Sequence, residues 1–383
     1  MRISIKTLSA TAATGLVAAL AGAVPAHAAT TITVSPGQSI QAAVNQAQPG
    51  DTIVVQKGTY HEAVAIGAGK DGLTLIGTGV SLLPPANPPA PGTNLCADMG
   101  DPAPGFCVTG DVSPPADQNS QPTVKSTLKN VTIDGFTVSH FDGMGVFGFG
   151  TENLTVKNSR LFHDGEYGIF VNTSTGAKII NNFAIDADEA GIYIGDSPNP
   201  SAGVTQPANA TVQGNRSFDS GYGIFLRDAS VGTVSGNNLM GNCVGLLALA
   251  DNPGPSSQWT ITGNHIATNV RECPATQDSE GGSPPLSGVG VLLAGATNNT
   301  VSNNDIYYNQ PEGDSALSGG IVMVTIPGQA NATAPSGNTI SNNNAHGNKP
   351  GDIFWDGTGT GNTFTGNSCD QAISPNDAVT CGG

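Results

Sequence analysis

The sequence predicts an all-β chain wound as a single-stranded right-handed parallel β-helix, a solenoid, with a short N-terminal capping helix. Three observations lead there. A short phrase recurs along the chain, a second phrase follows it at a nearly constant offset, and the Gly, Asn and Thr content disfavours helical repeats of similar length.

The first phrase is Thr, a β-branched or aromatic residue, any residue, Gly or Asn, then Asn. It reads Thr211-Val212-Gln213-Gly214-Asn215, Thr233-Val234-Ser235-Gly236-Asn237 and Thr260-Ile261-Thr262-Gly263-Asn264, and returns at Thr300, Thr339 and Thr363. Looser copies start at Thr132, Thr155 and Lys178. The apolar second positions, Ile133 to Phe364, are spaced 23, 23, 33, 22, 27, 40, 39 and 24 residues apart. A basal unit of 22–24 residues is thus interrupted by insertions. The second phrase is Gly followed by an aliphatic residue: Gly145-Val146, Gly168-Ile169, Gly191-Ile192, Gly223-Ile224 and Gly245-Leu246.

Two short β-type runs per unit, separated by turn residues, fit a coil wound once per unit. Each strand pairs with its equivalent about 4.8 Å away in the next coil. The column Asn182, Asn215, Asn237, Asn264, Asn304, Asn343, Asn367 reads as a stacked ladder at one corner, because Asn tolerates turn backbone and bonds to its neighbours. Ser39–Gln48, with Ile40, Ala43, Val44 and Ala47 on one face, reads as an amphipathic helix that caps the open end of the coil.

Domain organisation follows. Arg2 and Lys6, an apolar stretch from Ala10 to Val24 and the small-x-small site Ala26-His27-Ala28 read as an export signal over residues 1–28, leaving 29–383 as one elongated domain, expected to be a secreted monomer. No later segment is apolar enough to span a membrane. Residues 84–123 are Pro-rich and hold Cys96 and Cys107, so they read as a stapled loop over the coil. Six cysteines in an exported chain permit 15 connectivities. Nearest-neighbour pairing would join Cys96 to Cys107, Cys243 to Cys273 and Cys369 to Cys381. Without the leader the chain keeps 11 Lys+Arg and 29 Asp+Glu, a formal charge of 11 − 29 = −18, which opposes nucleic-acid binding.

The block Gly37-Gln38-Ser39-Ile40-Gln41-Ala42-Ala43, Pro49-Gly50-Asp51-Thr52-Ile53, Gly58-Thr59-Tyr60-His61-Glu62 and Leu75-Ile76-Gly77 resembles the opening coil of secreted parallel β-helix proteins of the pectate lyase-like superfamily. That resemblance implies fold rather than activity. Gly58, Tyr60 and Glu62 meet the G-x-Y-x-E block of pectinesterases, but their D-F-I-F-G and L-G-R-P-W motifs are missing. So are the polygalacturonase set, the W-I-D-H of pectate lyases and the D-P-H-E of mannuronan epimerases.

Aligned on the glycine of the second phrase, an acidic and imidazole band precedes it. His140, His163 and Asp186 stand five residues before, Asp164 and Asp219 four, Asp142 and Asp188 three, Glu166 and Glu189 two. Stacked carboxylates about 5 Å apart repel by roughly 3 kcal/mol at an effective dielectric near 20. Splaying, a raised pKa or a bound cation relieves this, and Ca²⁺ suits an all-oxygen set of Asp164, Glu166, Asp188 and Glu189. If the aliphatic residues point inward, Phe147, Phe170, Tyr193 and Phe225 point outward as a strip about 15 Å long that sugar rings stack on. The reading is a lyase or epimerase acting on an acidic polysaccharide. The four carboxylates supply acid/base or cation chemistry, His163 and Tyr222 transfer protons, and Arg227 neutralises the uronate. A non-catalytic glycan-binding or scaffold protein using the same strip is the alternative. Metal delivery is disfavoured because Met and His ligands are not clustered.

Overall fold

The computed structural model describes residues 28–382, apart from 91, 99–102, 114–121, 252–253, 277–282 and 327–331. The expected export signal lies outside these residues, except for its last position.

Each coil contributes three strands, not two, to three parallel stacks. A representative coil runs Thr155–Lys157, Arg160–Phe162 and Tyr167–Asn172; the next runs Lys178–Ile180, Phe183–Ile185 and Ala190–Ser197. The three pairings keep strict register: Val156 opposite Ile179, Leu161 opposite Ala184, Ile169 opposite Ile192. The strand absent from the sequence reading is the second. It is only three residues long, with one inward side chain, so it carries too little alternation to stand out.

The first phrase has a backbone explanation. Its fourth position turns the corner with positive φ: 66° at Gly214, 62° at Gly236, 55° at Asn303 and 54° at Asn342. Gly and Asn are the residues that take this conformation at least cost. The Asn that follows is the ladder. Asn215 Nδ2 donates to Ile179 O at 2.8 Å and to Asn237 Oδ1 at 3.0 Å, and Asn237 repeats the pattern onto Asn264. The same device recurs at the other two corners, through Asn242, Asn269, Asn309 and Asn348, and through Asn299, Asn338 and Asn362. The glycine of the second phrase is set by coil spacing. A Cβ on Gly168 would lie 2.7 Å from Gly191 O, and one on Gly223 would lie 2.5 Å from Gly245 O.

The inner core is one cluster of buried aliphatics, in which the first-stack column Ile133, Val156, Ile179 meets the third-stack column Val146, Ile169, Ile192, Ile224. Helix Ile40–Gln46 seals one end, with Ile40, Ala43 and Val44 buried and Ser39 Oγ accepting from Ala42 N at 3.1 Å. Glu62 carboxylate oxygens accept from Ile40 N and Gln41 N, as suits a helix start.

The stapled segment 84–123 is not a single loop. Phe106–Thr109 is a third-stack strand, pairing with Val64–Ile66 on one side and Met144–Phe149 on the other. Two excursions flank it, the second closing an antiparallel pair of Asp111–Ser113 with Thr123–Ser126. Disulfides join Cys96–Cys107, Cys243–Cys273 and Cys369–Cys381.

Candidate functional site on the third stack

Along the third stack the aliphatic residues face inward, while Phe147, Tyr193 and Phe225 belong to a second, outer apolar layer. The rings of neighbouring coils meet. Phe147–Phe170 and Phe170–Tyr193 stack at 5.5 and 4.5 Å between centroids, and Tyr193–Phe225 meet edge-on at 5.2 Å. The strip is not an open platform for sugars. Phe147, Tyr193 and Phe225 are 2–3 % exposed, and only Phe170 is half-exposed. Tyr167 and Tyr222 pack against it, and Val124, Val204 and Leu286 from the excursions join the same layer. Large rings left on one sheet face gain most by being covered, so the insertions fold over them.

Where the cover thins, a polar group forms. Tyr167, Ala190 and Tyr222 occupy one column on three successive coils. Ala190 is fully buried between the two tyrosines of this column, and Glu189 stands beside it, half-buried. The Tyr167 hydroxyl hydrogen-bonds Glu189. Burial first, and then Glu189, pushes the Tyr222 phenol up to about 12, and Tyr167 rises further for the same reasons. At neutral pH both phenols therefore keep their protons and are neutral hydroxyl donors. Glu166 and Asp188 are exposed on the same side. Glu189 N donates to Glu166 O at 3.0 Å, which places the two residues on adjacent coils. Arg227 is already engaged: its Nε and Nη2 meet the two carboxylate oxygens of Asp251, each at 2.9 Å. Burial works against its charge, but this bidentate pair more than restores it.

Asp164 is a different kind of residue from its neighbours in sequence. It is 2 % exposed and stands in the ladder at the corner between the second and third stacks, above Phe141 and below Ala187 and Ser220. Its Oδ1 accepts from Phe141 N at 3.2 Å, while its Oδ2 has no hydrogen-bond partner. Burial, opposed by the Phe141 hydrogen bond, pushes its carboxyl up to about 8. Asp164 is thus a neutral rung rather than a surface acid or a metal ligand. Among the described residues no group of three or more His, Cys, Asp or Glu is placed to hold a metal ion, so the four carboxylates expected to bind Ca²⁺ do not form a set.

His163 sits on the exposed corner next to this ladder. His140, His163, Asp186 and Asp219 form one column there, all with positive φ. His163 Nδ1 lies 2.8 Å from Asp186 Oδ2, its ring lies 5.4 Å from that of His140, and Arg271 Nη1 lies 3.7 Å from Asp186 Oδ1. Counting back from the glycine put Asp219 one place off, because its coil is one residue shorter at this turn. Sequence reasoning also passed over Tyr167 and Asp251. Tyr167 heads a strand directly after Glu166, and Asp251 lies two residues beyond Leu249, which pairs with Arg227; coil register points to both.

The architecture defines a right-handed parallel β-helix whose outer third-stack face carries a half-covered carboxylate–tyrosine patch. The family model described as "right handed beta helix region" matches residues 115–205 and 200–373, and the chain belongs to that family. No curated protein matches in sequence. Among solved structures, DFA-IIIase from Arthrobacter chlorophenolicus A6 is similar, with 12% identity, 90% of this chain and 87% of that one covered, and a TM-score of 0.57. The A-module of the mannuronan C-5 epimerase AlgE6 of Azotobacter vinelandii is similar at 18% identity, 88% and 90% coverage and a TM-score of 0.51. A tailspike protein of E. coli bacteriophage HK620 is similar at 14% identity, 90% and 61% coverage and a TM-score of 0.55. These likenesses establish the fold.

Proposed function

We propose that the protein is an exported carbohydrate-active β-helix that takes a polysaccharide on the outer third-stack face, with Glu189 as its proton-transfer group. The observation that carries this is the position of Glu189: half open, hydrogen-bonded by Tyr167, next to Tyr222 and to Glu166 of the adjacent coil. Half-exposed Phe170 and Tyr222 offer ring faces to a sugar. The three disulfides fit an oxidising compartment outside the cytosol. Mannuronan epimerase among the fold neighbours is in keeping with a polysaccharide ligand.

The charge at this face bears on which polysaccharide. Elimination or epimerisation at a uronate needs a cationic group at the sugar carboxylate. Arg227 is tied to Asp251, and Glu166, Asp188 and Glu189 are all acidic. A neutral glycan therefore fits this face better than the acidic one expected from sequence. Two carboxyl groups on adjacent coils, with backbones about 4.8 Å apart, suit glycoside cleavage, in which a retaining pair stands about 5–5.5 Å apart. One protonates the leaving oxygen as the glycosidic bond breaks; the other supports the anomeric carbon until water adds.

The test is product formation on neutral and uronate polysaccharides by wild type, Glu189→Gln and Glu166→Gln. Reducing ends released from a neutral glycan are expected, with a loss of about 10²–10⁴-fold in Glu189→Gln. Ultraviolet-absorbing unsaturated ends from a uronate would instead establish a lyase. Glycan binding without any turnover would leave a binding module, and full activity in Glu189→Gln would remove this residue from the chemistry.

A further inference from the structure

The second stack, unread in the sequence, has an outer face with its own pattern. Three successive strands read Arg160-Leu161-Phe162, Phe183-Ala184-Ile185 and Arg216-Ser217-Phe218. Their middle residues are buried. Of the outward ones, Arg160 and Arg216 are exposed, and Phe162, Phe183, Ile185 and Phe218 are half-exposed. Register aligns Arg160, Phe183 and Arg216 in one column and Phe162, Ile185 and Phe218 in the next. Phe183 meets Phe162 and Phe218 edge-on, at 5.6 Å and 85° and at 5.4 Å and 88°. The Arg160 guanidinium lies 5.7 Å from the centroids of both Phe162 and Phe183.

Neither arginine is held by a carboxylate of the described residues. Among the described residues no carboxylate lies within salt-bridge distance of Arg160 or Arg216, whereas Lys129, Lys157, Arg227 and Arg271 each have one. At the adjoining corner the Asp186 carboxylate faces His163 and Arg271. In a chain of formal charge −16, two exposed guanidinium groups without a salt bridge among the described residues, flanking a ring, form a local cationic and apolar strip. Two strand spacings separate them, about 10 Å.

We infer that this face binds an acidic polysaccharide lying along the helix axis, with carboxylates on Arg160 and Arg216 and sugar rings against Phe183 and its neighbours. Charge complementarity selects this occupant. Guanidinium groups pair with carboxylates in a fixed fork geometry. A polyuronate carries its charges one per ring, with apolar sugar faces between them, as the strip alternates Arg and Phe. Nucleic acid, with one charge per about 1.7 Å of duplex axis, would need far more cations than this acidic chain presents. The inference is independent of the third-stack patch, since it uses other residues on another stack.

The experiment is calorimetric binding of polygalacturonate and alginate, with dextran as the neutral control, at low and high ionic strength. Wild type is expected to bind the polyuronates and to lose affinity for them as salt rises, while any dextran binding, which belongs to the third-stack face, is insensitive to salt. Arg160→Ala/Arg216→Ala should weaken polyuronate binding about tenfold or more, with circular dichroism and melting unchanged. The Lys double variant should retain part of it, and Glu189→Gln should bind polyuronate like wild type. Unchanged binding in the Ala double variant, or no polyuronate binding by wild type, overturns the inference. Loss of turnover in Glu189→Gln with intact polyuronate binding keeps the two faces distinct.

Discussion

The corner between the second and third stacks is filled in two ways along its length. Toward the C-terminus it is a continuous amide ladder through Asn242, Asn269, Asn309 and Asn348. It ends on Asp352, whose Oδ1 accepts from Asn348 N and Nδ2 and whose Oδ2 accepts from Asp370 N and Gln371 N. Toward the N-terminus the same corner holds Phe141, Asp164, Ala187 and Ser220, and the chain of amides is broken. Both aspartates are buried, at 2 % and 1 % exposure, yet one takes a single hydrogen bond and the other takes four. The irregular coils are those that carry Glu166, Glu189, Tyr167 and Arg160. Regular stacking is thus relaxed on the coils that carry both proposed sites, and departures from local rules are expected near functional sites.

The largest effect should come from breaking the regular part. Asn309 donates to Ile266 O and Asn348 Oδ1 and accepts from Asn269 N and Nδ2. Asn309→Ala strands these groups in the interior, and a loss of roughly 3–5 kcal/mol in denaturant unfolding is expected. A loss below about 1 kcal/mol, within the usual net worth of one hydrogen bond, would mean that water or a coil shift replaces the amide.

Asp164 sharpens the comparison with the opposite sign. Each Asn of this ladder donates from Nδ2 to a carbonyl of the preceding coil, as Asn269 does to Leu239 O at 3.1 Å. Asp164 presents an oxygen there and can donate only while protonated. Unfolded, its carboxyl ionises near pH 4; folded, it keeps its proton up to about 8. The stability it contributes is complete below about pH 4 and is lost as the pH rises toward 8. Asp164→Asn supplies the missing donor permanently. It should stabilise by roughly 2–4 kcal/mol at pH 7 and by little at pH 4. Melting curves across that window check it, and a gain that does not depend on pH would refute the neutral-rung account.

The legibility of the sequence follows the same division. The first ladder, the inward aliphatics and the outward aromatic column could be read because each repeats over many coils with one side-chain type. The second strand could not, since Arg160-Leu161-Phe162 and Phe183-Ala184-Ile185 share only a single inward position. Asp164 reads as a charge beside Glu166, because burial is set by ladder register and not by its neighbours in the chain. The cover over Phe147, Tyr193 and Phe225 depends on excursions such as the one carrying Val204, whose paths no repeat dictates.

Ser220 tests whether the cost of a rung scales with the hydrogen bonds it makes. Its Oγ accepts from Ala187 N at 3.2 Å and donates to Phe218 O at 3.2 Å, while its own N–H goes to Asn242 Oδ1. Ser220→Ala keeps the backbone bond and removes one acceptor for a buried N–H, so about 1–2 kcal/mol should be lost. Ala187, just below it, contributes no side-chain bond to the column, so the broken segment already tolerates one missing rung. A Ser220→Ala loss as large as that of Asn309→Ala would show that the corner responds as a unit, its stability set by coil registry rather than by the bonds each rung makes.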